Sequence, residues 1–137
     1  MTCVRPSFIF ILFVISFASQ AQTEKFIGKS EEFILENVKG YSSVEARMIE
    51  HEEFNVLVFE ADKRELSFYF TFYRGAKVCN FIKNRGPFSV LREEIENIKA
   101  NFHKTGNNDW ENSAKTVNVK FDDSGGQNVL VFSQIRN

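Results

Sequence analysis

The chain has 137 residues, 17 Lys/Arg against 18 Asp/Glu, a formal net charge of −1, 43% hydrophobic residues and 16 phenylalanines. With no basic excess and the cations spread evenly, it lacks the electrostatic footprint that drives nucleic-acid binding.

The first residues read as a cleavable export signal: Arg5, an apolar run from Phe8 to Ala18, then the small-residue site Ser19-Gln20-Ala21. The apolar run is about half of the ~20 residues a membrane-spanning helix needs, and no later segment is longer or more apolar, so no span is expected after cleavage. The expected mature chain begins at Gln22, is secreted or periplasmic, and forms one domain over residues 22–137, with 16 basic and 18 acidic residues. Gln22 stands where a lipoprotein would carry cysteine, so no lipid anchor is expected. Cys3 leaves with the signal, and Cys79 alone cannot form an internal disulfide, so stability has to come from packing.

A first helix is predicted over Glu31–Lys39, with Ser30 as its cap, Glu31 and Glu32 at the positive end of the dipole, and Gly40 closing it. Phe33, Ile34, Val38 and Tyr41 form its apolar stripe. Residues 42–53 are ambiguous, with room for a short strand around Ala46–Ile49. The segment Phe54–Ala61 has apolar residues on both faces and suits a central strand covered on both sides.

Leu66–Tyr73 alternates cleanly, with Leu66, Phe68, Phe70 and Phe72 on one face and Ser67, Tyr69, Thr71 and Tyr73 on the other. Gly75-Ala76 reads as a type II′ hairpin loop, which pairs Phe72 with Cys79 and Phe70 with Phe81. That register puts Cys79 and Phe81 on the phenylalanine face, and Val78, Asn80 and Ile82 beside the tyrosines.

A second helix is predicted over Ser89–Lys104, from Phe88, Leu91, Ile95, Ile98 and Phe102 at spacings of three and four, with Gly106 to stop it. "TGNNDWENS" reads as a loop carrying Trp110. Val117, Val119 and Phe121 alternate with polar residues, "DDSGG" makes a turn, and Asn128–Ile135 completes a hairpin. The predicted fold class is α+β: an antiparallel sheet of about five strands with two helices packed on one face, in the order α-β-β-β-α-β-β. "EEFILENVKG" and "EEIENIKANF" echo each other faintly, as two amphipathic helices of similar composition do by chance.

The candidate chemistries each meet a plainer account. A nucleophilic Cys79 served by His51 or His103 would need solvent access and a lowered pKa, whereas the register buries the thiol among phenylalanines. "EHEE" at Glu50–Glu53 holds one histidine and reads as a charged edge, so no metal is expected. "DDSGG" lacks the alternating acids and closing glutamate of a calcium loop, and neither a phosphate loop nor a nucleophile elbow occurs, so no cofactor and no catalytic residue are assigned. "YRGAKVCNF" matches the RNA-recognition strand pattern only at Arg74, Gly75 and Phe81.

The specific option is a partner surface made by Tyr69, Thr71, Tyr73, Asn80 and Ile82 on the outer sheet face, together with Trp110 in its loop. Tyrosine and threonine are also simply good strand formers on a half-solvated face. The leading expectation is a small exported, non-catalytic module that binds a protein, peptide or other envelope or extracellular ligand. The alternatives are a small hydrolase whose catalytic residues converge from separate elements, and a structural component assembling through sheet edges.

Overall fold

A computed structural model describes residues 23–38, 45–61 and 64–136. The expected signal, Gly40, Tyr41 and the Asp62-Lys63 turn fall outside the described residues. A 3-10 turn, Thr23–Phe26, precedes helix α1, Glu31–Asn37. Four strands follow: β1 Glu45–Glu50, β2 Asn55–Ala61, β3 Arg64–Tyr73 and β4 Ala76–Gly86. Helix α2 spans Phe88–Asn101, and the remaining strands are β5 His103–Gly106, β6 Asp109–Glu111, β7 Val117–Asp122 and β8 Asn128–Gln134.

All eight strands lie in one antiparallel sheet of order β1-β2-β3-β4-β8-β7-β6-β5. The α+β class and the two helices agree with the expectation; the count of about five strands and the order α-β-β-β-α-β-β do not. The element order is a helix and four strands, twice over. Joining the two meanders through their fourth strands gives the palindromic strand order.

The three strands beyond the expected five are β1, β5 and β6. β1 covers the stretch Ala46–Ile49 where the sequence has room for a short strand, lies at an edge and turns only Met48 toward the core, while β6 has three residues and β5 four with a register shift between Lys104 and Gly106. None of the three gives a period-two signal. Residues 103 and 104, expected at the end of the second helix, belong to β5, because the chain turns extended at Phe102 (φ −106°, ψ 153°). Helix α2 starts one residue before Ser89, with Pro87 at the N-cap and no side-chain cap bond.

α1 is too short to be stable by itself. Ser30 Oγ accepts the Phe33 N–H at 3.2 Å, and burial of Ile34 and Val38 ties the helix to the sheet. Phe33, from the same predicted stripe, stays exposed. The Gly28 N–H donates to the Cys79 carbonyl at 2.6 Å, and the Cys79 N–H donates to the Lys29 carbonyl at 2.8 Å. The N-terminal segment is thus pinned to β4 just beyond Phe81, where its pairing with β8 ends.

One core cluster gathers Ile34 and Val38 from the α1 segment, Leu91, Ile95 and Ile98 from α2, Leu57 and Phe59 from β2, and Leu66, Phe68 and Phe70 from β3. Cys79, Ile82, Trp110, Val117, Val119, Leu130 and Phe132 from the remaining strands and Phe26 from the N-terminal turn complete it. Both helices therefore share one core over one face of the sheet. β2 is buried on both faces, as its continuous apolar run requires: Val56 and Val58 are covered as well as Leu57 and Phe59.

The β3–β4 hairpin departs from its expected register twice. Its two-residue loop is Arg74-Gly75, not Gly75-Ala76, and both have positive φ (52° and 82°), the signature of a type I′ turn. Phe70 consequently pairs with Cys79. A β-bulge then intervenes, since Tyr69 pairs with Phe81 and Asn80 is the extra residue. Side-chain parity survives the first change and is inverted by the second. Cys79 keeps its place among the phenylalanines, whereas beyond the bulge Ile82 turns into the core and Phe81 turns out.

Candidate functional site

The sheet face opposite the helices carries a row of rings. His51 stacks on Phe54 with centroids 4.5 Å apart, Phe54 lies 5.9 Å from Tyr69, and Tyr69 meets Phe81 edge-on at 5.2 Å. Adjacent strands and the β1–β2 connection supply the four residues, so pleat and pairing set their spacing. Lys83, two residues beyond Phe81 on the same face, places its ammonium 5.8 Å from both the Tyr69 and Phe81 centroids, within cation–π range.

A second group adjoins this row on the same face. Asn80 Nδ2 donates to Thr71 Oγ1 at 2.7 Å, and Arg136 Nη2 lies 3.4 Å from the same oxygen. The Arg136 guanidinium also sits 4.7 Å from the Tyr73 ring centroid, with that of Arg74 at 5.2 Å. Among the described residues, the ion pairs are Arg47–Glu60, Arg64–Glu94 and Arg92–Glu96, so no carboxylate neutralises Lys83, Arg74 or Arg136. The face combines half-exposed aromatic area with cations whose charge is uncompensated.

Of the residues expected at a partner surface, Tyr69, Thr71, Tyr73 and Asn80 are half-buried on this face and adjoin one another. Ile82 is fully buried on the helix side, because the Asn80 bulge inverts its direction. Trp110 is 6% exposed: what reads as a loop is β6, where Trp110 pairs with Lys104 and Val119 and turns into the core. Phe81, His51, Phe54, Lys83 and Arg136 are the members that sequence reasoning missed. An unforeseen bulge hid Phe81, and only sheet pairing brings the other four beside the tyrosines.

Cys79 is fully buried, its Sγ–H points at the Phe81 carbonyl oxygen 3.7 Å away, and burial pushes its pKa up to about 12. His51 lies beside β1 and His103 in β5, at opposite ends of the strand order. No group of three or more His, Cys, Asp or Glu side chains converges on a metal-sized site among the described residues. No described helix is long and apolar enough to cross a membrane.

"DDSGG" forms the β7–β8 turn: Asp122 Oδ1 accepts the Ser124 N–H at 2.9 Å and its hydroxyl at 2.6 Å, which lowers the Asp122 pKa. A cleft of about 330 Å³ lies between this turn and Arg85, with Val129 its sole apolar wall. That is at the small end of ligand-pocket volumes, and its lining is polar where ligand pockets are mostly apolar. No protein-family model, curated protein or solved structure matches the chain.

Proposed function

We propose that the protein is a small exported, non-catalytic binding module whose outer sheet face takes a protein or peptide ligand bearing carboxylates. The observation that carries this reading is the row His51–Phe54–Tyr69–Phe81, with Lys83 beside the Tyr69 and Phe81 rings and no acidic partner to it among the described residues. Half-exposed rings supply contact area at small entropic cost, and unpaired cations supply orientation and on-rate.

The other two readings draw less support. A dispersed hydrolase would need its histidines to meet, and they sit at opposite edges of the sheet. Assembly through edges would need a long, flat, apolar edge strand, whereas β1 carries Arg47 and Glu50 and β5 is short and bulged.

The test is affinity capture with chain 22–137 from the native envelope or medium, run beside a Tyr69→Ser/Lys83→Glu variant and an exposed helix control, Phe88→Ser. The expected result is one bound component, lost with the outer-face variant and kept with the control. Equal capture by all three forms overturns the assignment to this face, and chemical conversion of the captured ligand would favour the hydrolase.

A further inference from the structure

The cations are spread evenly along the chain, but the acids are not. From Leu66 to Arg92 the sequence carries Arg74, Lys77, Lys83, Arg85 and Arg92 and no aspartate or glutamate, and β8 has no acidic residue either. The centre of the sheet, made by β3 beyond Glu65, β4 and β8, is therefore basic although the whole chain has a net charge of −1.

Part of this charge collects with exposed rings at the tip of the β3–β4 hairpin. Phe72 is 72% exposed there, more than any other large hydrophobic side chain among the described residues. It lies on the helix side of the hairpin, with the Lys77 ammonium 6.0 Å from its ring centroid. Tyr73, the next residue, faces the other way, with the Arg136 and Arg74 guanidiniums 4.7 and 5.2 Å from its ring. Ion pairs among the described residues engage Arg47, Arg64 and Arg92, so Arg74, Lys77 and Arg136 have no carboxylate partner there. Arg74 also stands in the left-handed region (φ 52°), at a type I′ position that asparagine, aspartate or glycine fills at lower cost. Turn stability therefore does not account for an arginine at this position.

The tip thus shows a ring on each face of the hairpin and a cation beside each ring. A protein seated on the outer face would cover Tyr73 and leave Phe72 in water. An occupant entered end-on covers both, and it has to accept rings from either side while offering negative charge around them. The interfacial zone of an anionic bilayer does so: rings settle at the headgroup level, and the longer basic side chains reach the lipid phosphates. Each basic group close to such a surface strengthens attachment about fivefold.

We propose that the β3–β4 hairpin tip docks the protein reversibly on an anionic lipid surface. Phe72 and Tyr73 enter the headgroup region, and Arg74, Lys77 and Arg136 donate to lipid phosphates. Lys83 pairs with Ser67, six residues along β3 from Tyr73 and so roughly 20 Å from the tip at ~3.4 Å per residue. The row around Lys83 stays clear of the bilayer, and the two readings are independent.

The test is co-sedimentation of the protein recovered after export with vesicles of phosphatidylcholine, alone or with about one-third phosphatidylglycerol. Salt is held at ~0.15 M, where the Debye length is ~8 Å, so charges far from the tip contribute little. Phe72→Ser and Arg74→Asn are compared with the wild type and with Tyr69→Ser/Lys83→Glu, all in the same form. Asparagine suits a type I′ turn, so Arg74→Asn removes a charge and keeps the hairpin. The wild type is expected to bind the anionic vesicles only, about tenfold less well as Phe72→Ser and about fivefold less well as Arg74→Asn. The Tyr69→Ser/Lys83→Glu form should bind as the wild type does, which separates this proposal from the outer-face reading.

Binding that ignores phosphatidylglycerol, or that both tip variants leave intact, overturns the proposal. Absence of vesicle binding does so too, and a captured protein lost with the tip variants would then assign the tip to a protein partner. If Phe72→Ser does not fold, salt titration of the wild type decides. Release from anionic vesicles as salt rises supports the tip cations, and salt-independent attachment overturns them.

Discussion

The two faces of strands β3 and β4 are built from the same residue types yet do different work. On the covered face Phe68, Phe70 and Cys79 are fully buried, and Ile82 joins them. On the open face Tyr69, Phe81 and Tyr73 are half-buried and sit beside cations rather than aliphatic side chains. Phe72 makes the same point along one strand: it shares a face with Phe70 but is 72% exposed at the hairpin end. Being aromatic does not decide the role of a side chain here; helix cover does.

Truncation on the covered face is the strongest way to break the comparison. Phe68→Ala should cost about 3–5 kcal/mol in denaturant unfolding, because its ring packs edge-on against both Phe26 and Phe59. A loss below about 1 kcal/mol would mean that this face is not the core.

The next test crosses the bulge. Ile82→Ala should cost about 2–5 kcal/mol and Phe81→Ala distinctly less, although phenylalanine is the larger residue. The reverse order would restore the unbulged register.

A pH titration reaches Glu94 of α2, which is buried on the covered side and accepts a hydrogen bond from Asn84 Nδ2. Folded Glu94 holds its proton up to about pH 7, while the unfolded chain releases it near 4.5. The folded state binds more protons between those values, so stability is full below about pH 4.5 and falls as pH rises through 7. The loss is on the order of 3 kcal/mol, and Glu94→Gln should flatten it. A profile that rises over this window would contradict the burial of Glu94.

Thiol labelling gives a sharper contrast at little cost. Cys79 should resist alkylation in the native protein at pH 8 and react once denatured, because its pKa is about 12 in the fold. Fast native labelling would put the thiol at the surface. The smallest effect belongs to Phe72→Ala, which should shift stability by no more than about 0.5 kcal/mol.

Much of the covered face was legible in the sequence, because burial leaves a period. Leu66–Phe70, the two-sided run of β2, the Val117–Phe121 alternation and the Leu91–Ile98 stripe each announced an element and its inward side. The edge strands gave weaker signs: β1 was legible only as room for a short strand at Ala46–Ile49, and β5 not at all, since both bury almost nothing. The candidate site was half legible. The tyrosines were placed by alternation, whereas Phe81 and Ile82 were exchanged because one extra residue, Asn80, inverts everything beyond it. Trp110 was misplaced because glycine, asparagine and aspartate around it signal a turn, and the turn is so tight that strands begin on either side.

By itself, the sequence determined which segments could bury an apolar face, that both helices would be amphipathic, and that Cys79 would sit among phenylalanines. These follow from local periodicity, which each segment carries independently. Only the tertiary structure decided the palindromic strand order, the direction of Ile82 and Phe81, and the burial of Asn84 and Glu94. Those outcomes depend on pairing between segments far apart in the chain, and a single-residue bulge or a polar residue inside an apolar stripe takes its meaning from the partner it meets.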